Sequence, residues 1–185
     1  MQRIKSFYII LFISLIFASC KEDQKVTQET DTKGVVSTFY FIRHAEKDRS
    51  DPENTDPELN QRGLGRAMHW AEILKDIELD VIYTTDYERT SMTAAPTAVK
   101  KELDVKYYEP QNVNLEQFKA DNLGKKVLVV GHSNTTPDFV NQMIGEDLYY
   151  EMDDSDNGSL FIVQLIDNHS TSQRIHINCN CPKER

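Results

Sequence analysis

The run Val127-Leu128-Val129-Val130, flanked by Lys126 and Gly131, limits the fold of this chain more than any other feature. A strand with one wet face alternates apolar and polar residues, and this one does not. An unbroken apolar run is typical of a strand buried on both faces, at the centre of a parallel sheet. Parallel neighbours need long crossovers, so helices must stand between the strands.

The sequence supplies them. Val35 to Ile42, rich in β-branched and aromatic residues, predicts a buried first strand. Asp48 to Glu58 holds five acids and two prolines and reads as a surface loop. Asn60 is placed as an N-cap, with Leu59 and Leu64 spaced for a hydrophobic staple. Leu64, Ala67, Met68, Ala71 and Leu74 then follow at helical spacing to about Asp76. Asp80 to Thr85 predicts a strand, followed by a helix from near Tyr87 that Pro96 should disturb. A strand over Val105 to Tyr108, a helix over Leu115 to Leu123 and a helix over Thr136 to Ile144 come next. Leu160 to Ile166 and Gln173 to Ile177 predict closing strands. The expected fold is a single-domain α/β three-layer sandwich, with helices on both sides of a mostly parallel sheet.

The chain has 185 residues, 30 acidic and 21 basic, for a net charge of −9. That length fits one domain with a real core. The charge excludes a nucleic-acid surface, which needs a basic face for counterion release. Arg3 and Lys5 precede an apolar stretch from Phe7 to Ala18, the pattern of a secretory signal. Phe17-Ala18-Ser19-Cys20 resembles the lipobox of bacterial lipoproteins, with Phe in place of the usual Leu. The expectation is a signal peptide over 1–19, a lipidated Cys20 with a polar tether over 20–36, and a folded domain over 37–185. Such a protein is membrane-anchored through its lipid in the cell envelope. Cys179 and Cys181 are too few for a zinc site and receive no function.

Chemistry gathers at three strand ends, where α/β folds place their sites. These are Arg43-His44-Ala45-Glu46-Lys47, the segment from Thr84 to Thr93 that contains Arg89, and Gly131-His132-Ser133-Asn134. Two arginines and two histidines meeting in one pocket form a cage for a dianion. Guanidinium forks hold phosphoryl oxygens bidentately. A neutral imidazole can attack phosphorus, and a second, protonated one can neutralise the charge that builds on the equatorial oxygens. Residues 133–135 are expected to open a helix, whose N–H groups can face the same anion.

In order along the chain, Arg43-His44-Ala45-Glu46, Leu59-Asn60-x-x-Gly63-x-x-Arg66-Ala67, Thr85-x-x-x-Arg89-x-x-x-Thr93-Ala94 and Gly131-His132 resemble the histidine phosphatase (phosphoglycerate mutase-like) superfamily. The resemblance implies that fold, no metal and no cofactor. It implies His44 as the phosphorylated nucleophile, with Arg43, Arg89 and His132 holding the phosphoryl group. Its substrates would be small phosphorylated molecules or a phosphohistidine protein. Glu109 is the candidate proton donor, by analogy with larger members. Glu46 should stay ionised beside its arginines and serve poorly as an acid. Asn134 is either a phosphate donor or a helix cap, and Lys47 is either a surface lysine or a source of added charge at the mouth. His69, His169 and His176 read as non-catalytic. Asp153 to Gly158 reads as an acidic turn, because Ser155 and Gln164 break a calcium-loop pattern. Three other functions stay open: a phosphate-binding protein without turnover, a mutase, and an acyl hydrolase using Ser133.

Overall fold

The computed structural model describes residues 34–167 and 169–179. The leader, Cys20, the tether as far as residue 33, and Cys181 lie outside the described residues. Six strands form one sheet: β1 (Val36–Arg43), β2 (Val81–Thr84), β3 (Val105–Tyr107), β4 (Lys126–Gly131), β5 (Ser159–Ile166) and β6 (His169–His176). Their order across the sheet is β3-β2-β4-β1-β5-β6. The first four run parallel, and β5 and β6 close the edge as an antiparallel hairpin. The apolar run is therefore β4, central and flanked by β1 and β2, with every residue from Val127 to Val130 buried.

Its two faces build two cores. On one, Val127 and Val129 pack with Phe39, Phe41 and Phe161 against Phe118 of α3 (Leu115–Asp121) and Phe139 of α4 (Thr135–Ile144). On the other, Leu128 and Val130 pack with Ile42 and Ile82 against Trp70 of α1 (Gln61–Ile73) and Ala94 and Ala98 of α2 (Glu88–Lys101). This is the expected α/β sandwich.

Three local expectations are corrected. The buried stripe of α1 is Gly63, Arg66, Ala67, Trp70 and Ala71, whereas Leu64 and Met68 face solvent. Leu64 therefore joins no staple, and Leu59 packs instead with Ala45, Ala67 and Met92. Second, α2 runs through Pro96 to Lys101. A ring there forfeits one intrahelical bond, and the buried Ala94 and Ala98 hold the helix on both sides of it. Third, β6 begins at His169, four residues before its expected start, because an edge strand needs no apolar alternation. Cys179, left without a role, is disulfide-bonded.

Candidate active site

Register alone brings the three chemical segments together. Arg43 on β1 pairs with Gly131 on β4, and Thr84 on β2 pairs with Val130. His44, Thr85 and His132 thus each follow the last residue of adjacent parallel strands. The rings of His44 and His132 lie 5.4 Å apart at 65°. A cavity of about 470 Å³ is lined by Arg43, His44, Arg89, Glu109, His132 and Asn134, so all six site residues read from the sequence border one space.

His44 is buried, and its tautomer follows from its contacts. Nδ1 lies 2.7 Å from the Ala45 carbonyl oxygen, which can only accept, so Nδ1 carries the proton. Nε2 is left with its lone pair. The pKa is pulled down to about 3, first by burial, against the Ala45 hydrogen bond, and then by the charges of Arg43, His132 and Arg89. The ring is neutral and nucleophilic at pH 7. Its backbone is fixed too: the N–H donates to the Gly131 carbonyl at 2.9 Å, and the carbonyl accepts from Asn157 Nδ2 at 2.9 Å.

Arg43 is held by a turn that the sequence shows only as acidic. Nη1 donates to the carbonyls of Asp153, Asp154 and Asp156 at 2.9, 3.0 and 3.3 Å, and Nη2 donates to Asp154 Oδ1 at 2.9 Å. Nε is buried and has no hydrogen-bond partner. Arg89 lies half-buried across the cavity. Its Nη1 donates to Asp56 Oδ1 at 3.2 Å, and its guanidinium stacks 4.3 Å over the Tyr87 ring.

The sequence expectation is a His132 protonated beside a bound dianion; without the anion, burial first, and then Arg89, Arg43 and Lys47, bring its pKa down to about 4. The cations that suit the cavity to a dianion also oppose a further positive charge, and a bound dianion would reverse that balance. Tyr87 stands edge-on to the ring at 5.1 Å.

The supporting residues divide clearly. Glu46 accepts from Arg66 Nε and Nη2 and pairs with Arg62 at 3.0 Å. Burial favours its neutral form, but these partners outweigh it and hold the carboxyl below its ordinary range. It is a structural ion pair. Gly63 lets α1 approach, since a Cβ there would collide with the Glu46 backbone carbonyl. Asn60 caps α1 by accepting from Gly63 N at 2.9 Å. Asn134 makes no side-chain cap of α4 and stands exposed on the cavity wall. Glu109 is exposed on the same wall. The Ser133 hydroxyl donates to Glu151 at 3.5 Å, and among the described residues no histidine hydrogen-bonds it, so it lacks a base.

Sequence reasoning missed the clasp on Arg43, the Asp56 contact of Arg89 and the Tyr87 ring. The run Asp153 to Asp156 was visible, but its use depends on the antiparallel pairing of β5 with β1. No local pattern encodes that.

Residues 39–110 match the family model of the histidine phosphatase superfamily (branch 1). Several solved structures share the fold. A candidate phosphohistidine phosphatase SixA from Agrobacterium tumefaciens matches at 20% identity and TM-score 0.56, over 76% of this chain and 99% of its own. A phosphoglycerate mutase from Bacillus anthracis matches at 15% identity and TM-score 0.61, over 77% of this chain and 94% of its own. The protein histidine phosphatase SixA complexed with tungstate matches at 13% identity and TM-score 0.61, over 75% and 96%. No curated protein matches the chain in sequence.

Proposed function

We propose that this chain is a phosphatase of the histidine phosphatase superfamily, hydrolysing phosphomonoesters or phosphohistidine through a phosphohistidine on His44. The observation that carries this reading is the state of His44. Its imidazole is neutral and buried, its Nδ1 proton is committed to Ala45, and it lies among Arg43, Arg89 and His132. A nucleophile with a free Nε2 lone pair, beside two fixed guanidinium charges and a second imidazole, fits attack on a phosphoryl group.

In the first step Nε2 forms a bond to phosphorus while the P–O bond of the ester, or the P–N bond of a phosphohistidine, breaks. Glu109 gives its proton to the departing atom. In the second, water attacks phosphorus as Glu109 takes back a proton from it, the P–N bond breaks with its electron pair returning to Nε2, and phosphate leaves with His44 neutral again. The guanidinium of Arg89, half-buried across the cavity, offers donors to the transferring group, and the charge of Arg43 beside His44 adds positive potential there. Charge on the phosphoryl oxygens is assigned to these side chains, with no metal in the scheme.

Hydrolysis is favoured over transfer to a second hydroxyl, because Glu109, Asn134 and Tyr87 on the rim stand exposed and leave the cavity open to water. The structural relatives named for SixA support a phosphohistidine protein among the substrates, beside small phosphate esters. Cys20 is assigned a lipid anchor in the cell envelope. A disulfide at Cys179 fits an oxidising compartment. Release of phosphate from an aryl phosphate by the wild type, and not by His44→Ala, tests the reading. Tight phosphate binding with no release would make the protein a binder.

A further inference from the structure

Two buried threonine hydroxyls stand behind His132, and the reaction above gives them no part. Thr85 Oγ1 lies 2.8 Å from His132 Nε2 and 3.1 Å from Thr90 Oγ1. Thr90 Oγ1 lies 2.8 Å from the carbonyl oxygens of both Thr85 and Tyr87. Thr85 is 1% exposed and Thr90 0%, so the hydroxyls must satisfy one another.

Counting protons gives their direction. Carbonyl oxygens only accept, so the single proton of the Thr90 hydroxyl goes to one of them. Its oxygen is then an acceptor, and the Thr85 proton fills the contact between the two hydroxyls. The remaining contact, between Thr85 Oγ1 and the ring, must be filled by a proton on Nε2. The reverse assignment, with Thr85 donating to a bare Nε2, fills one contact fewer. Either the hydroxyl oxygens face each other at 3.1 Å with no proton between them, or Thr90 donates to Thr85 and leaves both carbonyl oxygens at 2.8 Å without a proton. In a dry pocket that arrangement loses a hydrogen bond and gains nothing.

We propose that Thr85, backed by Thr90, is a positioning residue that fixes His132 as its Nε2–H tautomer and so confines proton uptake and release to Nδ1. The catalytic consequence rests on the phosphatase reading; the tautomer does not. When a phosphoryl monoanion enters, its P–O–H bond gives a proton to Nδ1. The substrate becomes a dianion, and the ring becomes an imidazolium that donates from Nδ1. Nε2–H stays on Thr85 throughout, so the ring is not free to turn as its charge changes. On return of the proton the ring regains the same tautomer.

The full chain, labelled with 15N in its histidines, tests this, with His132 resonances assigned by difference from His132→Gln. The wild type should show the proton on Nε2 and a bare Nδ1 at neutral pH, and Thr85→Ser should match it. Thr85→Val should mix the two tautomers and lower kcat by about tenfold, while Thr85→Ser stays within about threefold of wild type. A wild-type proton on Nδ1 overturns the proposal whether or not any variant folds. So does a Thr85→Val protein that loses activity with its tautomer intact. If the tautomer is as stated but the wild type releases no phosphate, the phosphatase reading fails and the positioning of His132 stands.

Discussion

Acidifying the solution from pH 7 to pH 5 should destabilise this fold through its two site histidines, of which His44 is the more buried. The ring is 4% exposed, and its pKa is lowered to about 3, mainly by burial. In the unfolded chain it returns to its ordinary value of about 6.5. Between those values the unfolded state binds a proton that the folded state refuses, so stability falls as pH falls through that window. By pH 5 the unfolded ring is almost fully protonated and the folded one is not, which costs about 2 kcal/mol from His44 alone. His132, lowered to about 4, acts in the same direction. A loss of that size is a large part of a typical domain's stability of about 5–15 kcal/mol. The carboxylates of Glu46, Asp154 and Asp156, held below their ordinary range, add their losses at lower pH. Urea unfolding at pH 7, 6 and 5 measures the effect. His44→Gln should recover about 2 kcal/mol of the pH-dependent loss. Equal pH dependence in the variant and the wild type would show that burial does not hold His44 neutral.

Arg89→Ala should lower kcat/KM by an amount equivalent to about 2–4 kcal/mol, as for loss of a preorganised donor to developing charge. An effect on KM alone would reduce Arg89 to ground-state binding. Glu109→Gln should slow alkyl phosphates and spare aryl phosphates, whose oxygen leaves without a proton; wild-type rates on alkyl esters would remove Glu109 as the donor. Gly63→Ala should destabilise the fold by about 1–3 kcal/mol, because α1 must move off the Glu46 carbonyl. A thermal midpoint unchanged by Gly63→Ala would show that this approach is not constrained.

Much of the fold could be read from local pattern. The apolar run at 127–130 implied a central parallel strand, and the strand ends located His44, Arg89 and His132. What escaped depended on contacts distant in sequence. Arg66 lies on the buried face of α1 because Glu46, twenty residues earlier, pairs with it, while apolar Leu64 and Met68 are left outside. Periodicity counts apolar residues and cannot see that pair. The clasp of residues 153–156 on Arg43 spans about 110 positions and comes from the β1–β5 register. The neutral state of His132 arises first from burial and then from three cations, and no single segment displays either.

The central claim is a covalent P–N bond at His44, and quenching the enzyme during turnover of a 32P-labelled substrate tests it most directly. A phosphoryl group on a ring nitrogen is labile in acid and stable in alkali, the reverse of phosphoserine. The label should therefore survive base, be lost in acid, map to the peptide containing His44, and vanish in His44→Ala while persisting in Ser133→Ala. An acid-stable adduct, or one that depends on Ser133 and not on His44, would contradict the account.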